Sequence, residues 1–198
     1  MNKIDIITAL DMVIKCFEQL GIDYYIGGSV ASSTYGISRA TIDVDLIAKI
    51  EINHVDKLVK SLDKYYYISA GMIKNAIEEK TSFNLIHLET MIKIDVFIFK
   101  GQPYDIKAFG RCQTDTLDDE NPRKFNLSSP EDVILSKLQW YKMSNEVLQQ
   151  QWKDVLGIMK VQSDRLDFEY LKYWASQLNL NNLLDRSFRE AGLNERKS

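Results

Sequence analysis

The sequence is poor in the residues that cross-link or punctuate a chain. Of 198 residues, two are cysteine, two histidine, three proline and nine glycine. Cys16 and Cys112 stand far apart, with no Cys-x-x-Cys and no Cys/His ligand spacing. That excludes a disulfide scaffold and a structural zinc site, and both thiols are expected to be reduced, Cys16 on the apolar face of a helix. His54 and His87 are too few for a His-rich metal centre. Charge of one sign is missing too: 25 Lys+Arg against 28 Asp+Glu leave a net charge of −3. Without a global positive field, generic coating of nucleic acid is excluded, and any polyanion must be met by a local patch. No apolar run approaches the ~20 residues of a membrane span. Asp5 and Asp11 interrupt the apolar N-terminal stretch, so no secretory signal is expected there. No membrane partner is expected, and the location expected is cytoplasmic. GxxxxGK[ST], GxSxG and HExxH are also absent, which removes the P-loop, serine-hydrolase and zincin readings.

What remains is a soluble-protein composition, 45% hydrophobic and 27% charged, with clear periodicities. Ile4, Ile7, Leu10, Ile14, Phe17 and Leu20 recur at helical steps, and Gly21 ends the pattern. Tyr24 to Ile26 reads as a short strand running into Gly27-Gly28-Ser29, and residues 30 to 35 as a short helix. Residues 41 to 48 alternate as a strand with one wet and one buried face. Helices are expected over 53–63 and 71–79, and strands over 83–88 and 91–99 as a hairpin or as neighbours. Residues 104–111 suit a short helix, and 113–126 a polar loop with one strand at its end. Ser129 caps a helix opened by Pro130, Glu131 and Asp132. Helices then follow over 130–143, 147–160 and 167–178. The organisation expected is mixed α/β for about the first 125 residues, then all-helical.

Chemistry concentrates between Gly27 and Asp45. Two glycines allow close approach of the backbone to a ligand, and Ser29 opens a helix whose free N–H groups favour phosphate. Asp43 and Asp45, two apart on a strand, project from one face. Like charges so close are destabilising unless a cation lies between them, and hard carboxylate oxygens suit Mg²⁺. In Lys93-Ile94-Asp95-Val96-Phe97-Ile98, Asp95 is a lone carboxylate on an otherwise apolar strand. If that strand neighbours the first, three acids converge, as a two-metal phosphoryl- or nucleotidyl-transfer site requires. Asp95 is then both a metal ligand and a proton acceptor. Taken singly, each motif is ordinary: Asp-x-Asp is usually a solvated strand face, and Gly-Gly-Ser a turn. Their order and spacing carry the inference.

At these positions the sequence resembles the DNA polymerase β-like nucleotidyltransferase superfamily: Gly28-Ser29 at a helix start, Asp43 and Asp45 on the next strand, Asp95 on a later one. Arg39-x-Thr41-x-Asp43-x-Asp45-Leu46 is most similar to the bacterial AbiEii-like group, toxins of abortive-infection toxin–antitoxin pairs, and its short relatives. Pro130-Glu131-Asp132-x-Ile134-Leu135-x-Lys137-Leu138 resembles that group's helix with a nucleotide-contacting lysine. Lys153-Asp154 resembles its downstream Lys/Arg-Asp helix, although Gly157 stands where the group has a second acid.

The resemblance implies an α+β fold, a small mixed sheet with flanking helices over 1–127 (the nucleotidyltransferase core), and a C-terminal helical region over 128–198. It implies an enzyme that transfers a nucleoside monophosphate from an NTP to a hydroxyl or similar nucleophile. Asp43, Asp45 and Asp95 are its expected catalytic residues and the ligands of two Mg²⁺ ions. Gly28, Ser29, Arg39, Thr41, Lys137 and Asp154 are expected to bind nucleotide. The acceptor implied is a tRNA end, with an antibiotic-type small molecule or a protein side chain as the alternative; an antitoxin is an implied partner. A non-catalytic nucleotide- or protein-binding module of such a pair is the other class of reading. Residues 1–129 hold 15 basic and 18 acidic side chains and 130–198 hold ten of each, so the helical region is the better nucleic-acid surface. Trp140, Tyr141, Trp152, Tyr170, Tyr173 and Trp174 fall at helical spacing, where helix packing or base stacking are the two uses open to them.

Overall fold

Ile7, Leu10, Ile14 and Phe17 are all buried along one side of helix α1 (Lys3–Leu20). Each is worth about 1.5–3 kcal/mol relative to exposure, which is what holds this helix to the sheet below. Gly21, at φ +68°, ends it: the Ile22 N–H turns back to the Phe17 carbonyl at 2.9 Å, a conformation a side chain would strain. In this computed structural model residues 3–37, 43–118 and 121–193 are described. They fall into two compact units, one of residues 3–30, 43–118 and 121–127, the other of 31–37 and 128–193.

In chain order the elements are β1 (Tyr24–Ile26), α2 (Gly28–Tyr35), β2 (Asp43–Ala48), a 3₁₀ turn into α3 (Val55–Leu62), β3 (Tyr66–Tyr67) and α4 (Ala70–Glu79). Next come β4 (Ser82–His87), β5 (Lys93–Ile98), α5 (Pro103–Phe109), β6 (Gln113–Asp118) and β7 (Asn121–Leu127). Among the described residues the seven strands form one mixed sheet in the order β3-β4-β5-β2-β1-β7-β6. β2 and β5 run parallel, while β1 is antiparallel to β2, and β4 to β5.

Alternation decides the two faces of this sheet. Val44, Leu46, Leu85, Ile94 and Val96 point into the core, and Asp43, Asp45, Asn84, Lys93 and Asp95 occupy the half-buried face. The edge strand β3 is tied to α1 by the buried Tyr66 hydroxyl, which donates to the Ala9 carbonyl at 2.7 Å. At the far end of the half-buried face the chemistry changes to aromatic. Phe99 and Tyr25 each meet Phe109 of α5 edge-on, with ring centroids 5.2 and 5.0 Å apart.

One expectation fails in this unit. Residues 113–118 and 121–127 are two antiparallel strands, not a loop with one terminal strand; β7 joins β1 in parallel and β6 closes the sheet edge. Their mostly polar side chains hide the alternation, and the strands form because β1 offers a free edge to pair with. Arg123 on β7 anchors the strand pair to α1 through Asp11 and Glu18, at 3.3 and 3.1 Å.

The second unit holds α6 (Pro130–Met143), α7 (Gln149–Gln162), α8 (Phe168–Gln177) and α9 (Asn181–Ala191). The start of α6 is a buried polar junction. Ser129 caps the helix and donates to Asp132, while Tyr170 of α8 donates to the other Asp132 oxygen at 2.7 Å. The Asp167 N–H donates to Glu131 at 2.9 Å, so both first-turn acids are satisfied by the N-terminal end of α8. Tyr141 and Trp152 pack together, centroids 5.1 Å apart, and with Tyr170 they are buried. Trp140 and Tyr173 are exposed.

Candidate active site

The half-buried sheet face of the first unit brings four chain segments to one row. Across the sheet, Asn84 on β4 lies opposite Asp95 on β5, and Asp95 lies opposite Asp45 on β2. The Gly27 N–H then donates to the Asp45 carbonyl at 2.9 Å, which sets the Gly27-Gly28-Ser29 turn at the end of that row. One step along the strands, Asp43 lies opposite Lys93. The three acids singled out from sequence therefore share one face of two adjacent parallel strands.

Gly28 begins α2 at φ +53° and passes hard against Asp45. A Cβ built on Gly28 would overlap the Asp45 carboxylate, so only glycine lets helix and acid approach this closely. The first turn of α2 carries the positive end of its dipole, beside a carboxylate. Ser29 lies in that first turn. The turn can thus present anion-binding N–H groups next to cation-binding oxygens, the pairing a metal-bound phosphate needs.

Lys93 completes the charged cluster. Its ammonium lies 2.8 Å from Asp95 Oδ2 and 3.8 Å from Asp43 Oδ1. The hydrogen bond to Asp95, then the charges of Asp95, Asp43 and Asp45, hold the Lys93 pKa above its ordinary value against the opposing effect of partial burial. Neither Lys93 nor Asn84 stands among the residues expected from the sequence. For Lys93 the signal was present: two residues before Asp95 on a strand is the same face. Asn84 becomes a neighbour of Asp95 only through strand pairing, which no local pattern states.

Among the described residues, no three His, Cys, Asp or Glu side chains are placed to hold a metal ion. By chemistry alone the donors suit Mg²⁺, being three hard carboxylates on one sheet face, but they are not gathered as ligands, and a side-chain cation stands against two of them. Asp43, Asp45 and Asp95 are the residues that would hold it.

The remaining sequence candidates divide into two groups. Arg39 and Thr41 lie outside the described residues. Lys137 and Asp154 belong to the second unit, where they are paired with each other at 2.7 Å, their side chains 3% and 5% exposed. Gln151 accepts from Lys137 at 3.1 Å, and Gln150 donates to Asp154 at 2.8 Å. Within the same unit a cavity of about 420 Å³ is bordered by Ile37, Asp154, Gly157 and two lysines seven residues apart on α7, Lys153 and Lys160.

No protein-family model matches the chain, and no curated protein sequence matches it. Solved structures do. The crystal structure of an antigenic nucleotidyltransferase-like protein from Paracoccidioides brasiliensis is similar with a TM-score of 0.52 and 20% identity, over 76% of this chain and 74% of that one. The solution structure of the antibiotic-resistance factor ANT(2'')-Ia is similar with a TM-score of 0.52 and 15% identity, over 96% of this chain and 95% of that one. With the mixed sheet, its flanking helices and the glycine turn set against paired acidic strands, these likenesses establish that the chain has the nucleotidyltransferase fold.

Proposed function

We propose that this protein is a Mg²⁺-dependent nucleotidyltransferase that moves a nucleoside monophosphate from an NTP to a hydroxyl acceptor and releases pyrophosphate. One observation carries the reading: Asp45 and Asp95 are direct partners on parallel strands, and Gly28 passes so close to Asp45 that no other residue fits. Two paired carboxylates on one sheet face repel each other unless a cation lies beside them.

Held by Asp43, Asp45 and Asp95, Mg²⁺ would supply positive charge to the triphosphate and to the transition state. The first turn of α2, with Ser29, binds the β- and γ-phosphates through its N–H groups. Asp95 accepts the proton of the acceptor hydroxyl. That oxygen attacks the α-phosphorus, the bond from the α-phosphorus to the α,β-bridging oxygen breaks, and pyrophosphate leaves with the bond's electron pair. Asn84, half-buried and opposite Asp95 in the sheet, is placed to orient the acceptor.

The acceptor is either small or an RNA end, and each version has its own support. A polyhydroxylated antibiotic is supported by the likeness to an antibiotic-resistance factor over nearly the whole chain. A tRNA end, within a toxin–antitoxin pair, is supported by the AbiEii-like order of Arg39, Thr41, Asp43 and Asp45. Incubation with each α-³²P-labelled NTP, Mg²⁺ and either total RNA or aminoglycosides is the test. Transfer of the α label to one fraction, with loss in Asp45→Asn, is the expected result. Activity on RNA should fall steeply with salt, activity on a small molecule should not. Binding of neither Mg²⁺ nor any NTP in calorimetry would leave the fold as a non-catalytic module.

A further inference from the structure

Lys93 has no part in the reaction described above, yet its ammonium stands on the acids that the reaction needs. It reaches Asp95 at 2.8 Å and Asp43 at 3.8 Å. Both contacts follow from the strand pairing. Lys93 is two residues before Asp95 on β5 and directly opposite Asp43 on β2, so its side chain rises from the same face between them. Three carboxylates on two adjacent strands repel one another, and an ammonium among them lowers that cost.

Resting on the nucleotidyltransferase reading, we propose that Lys93 is a built-in counter-cation: it neutralises the acid face before any metal arrives, and a divalent ion must displace it to bind. The ammonium and the ion compete for the same oxygens, and they repel each other as like charges. Removing the positive charge at position 93 therefore has two effects of opposite sign. Metal affinity rises, because the competitor is gone. Stability without metal falls, because the carboxylates lose their partner. A lysine kept only to cover the sheet with its aliphatic stem would produce neither effect on loss of charge alone. A lysine that assisted metal binding would lower affinity when removed.

The test uses the full chain and Mn²⁺ alone, with free ion read by its electron paramagnetic resonance signal. Wild type should bind Mn²⁺, and Lys93→Gln should bind it about fivefold more tightly, the equivalent of losing an exposed ion pair. Lys93→Arg keeps the charge and should stay near wild type. Equal or weaker binding by Lys93→Gln overturns the proposal while leaving the nucleotidyltransferase reading intact. So does tightening in Lys93→Arg equal to that in Lys93→Gln, since packing rather than charge would then be the cause. If wild type and Lys93→Gln both ignore Mn²⁺ but bind NTP, the metal-dependent reading fails and this proposal fails with it. Melting in EDTA is the second measurement. Lys93→Gln should melt about 2–4 °C below wild type, and saturating Mn²⁺ should close that gap. A melting point in EDTA equal to or above wild type overturns the proposal, whatever the binding result.

Discussion

Two lysine–aspartate clusters, one in each unit, have the same chemistry and opposite settings. On the sheet face, Lys93 bridges Asp95 and Asp43 with side chains 40%, 22% and 49% exposed. Between α6 and α7, Lys137 and Asp154 are sealed at 3% and 5% exposure, and two glutamines complete their hydrogen bonds. A solvated pair can exchange its partner for an ion or a phosphate at little cost, because water covers the intermediate states. A sealed pair cannot give up one member without leaving a buried charge uncompensated. The first arrangement suits a site that must open to a ligand. The second suits a joint that holds two helices in register, and it gives Lys137 a structural task whatever else it does.

The comparison breaks most sharply at the sealed pair. Asp154→Asn or Lys137→Met alone should destabilise the protein by about 3–5 kcal/mol, read by chemical denaturation. The double variant Lys137→Met/Asp154→Leu should recover most of that loss, because no unpaired charge remains. Failure of the double variant to recover would show that the two positions are not coupled in this way. Asp45→Asn on the open face should behave in the opposite sense. Nucleotidyl transfer should fall by about a thousandfold or more, roughly 4 kcal/mol of transition-state stabilisation, with little change in the unfolding midpoint.

Gly28→Ala comes next in size. It places a non-glycine residue at positive φ, costing about 1–2 kcal/mol, and forces the Asp45 carboxylate aside. Activity should fall with stability, whereas Asp45→Asn separates the two. Parallel assays and melts of both variants check this. The smallest effect distinguishes the clusters by salt. The Lys93 bridge contributes at most about 1 kcal/mol, and the melting difference between wild type and Lys93→Gln should vanish by 1 M salt. The deficit of Asp154→Asn should persist there, since a buried pair is screened little.

Much of this was legible locally. The helical steps of Ile7 to Phe17, the cap at Ser129 and the alternation about Asp43, Asp45 and Asp95 each state an element, and each element formed as read. These patterns are local because backbone geometry repeats every 3.6 or two residues. The strand pair β6 and β7 was not legible. Its strands carry Gln, Thr, Asp, Asn, Arg and Lys rather than a clean apolar face, so pairing with β1 and β6 supplies what alternation does not. Lys137 was ambiguous for a related reason. A lysine beside Leu135 and Leu138 looks the same in sequence whether its ammonium meets a phosphate, water or a buried aspartate.

By itself, then, the sequence determined which residues share a strand face or a helix face, where helices begin, and that three acids and a glycine turn are available for one chemistry. Tertiary structure alone decided that Asp95 meets Asp45 and Asn84, that Gly28 lies against Asp45, and that one lysine stays open while the other is sealed. Periodicity fixes a side chain's direction relative to its neighbours in the chain. Register and burial depend on segments dozens of residues away, and those are chosen by the packing of the whole fold.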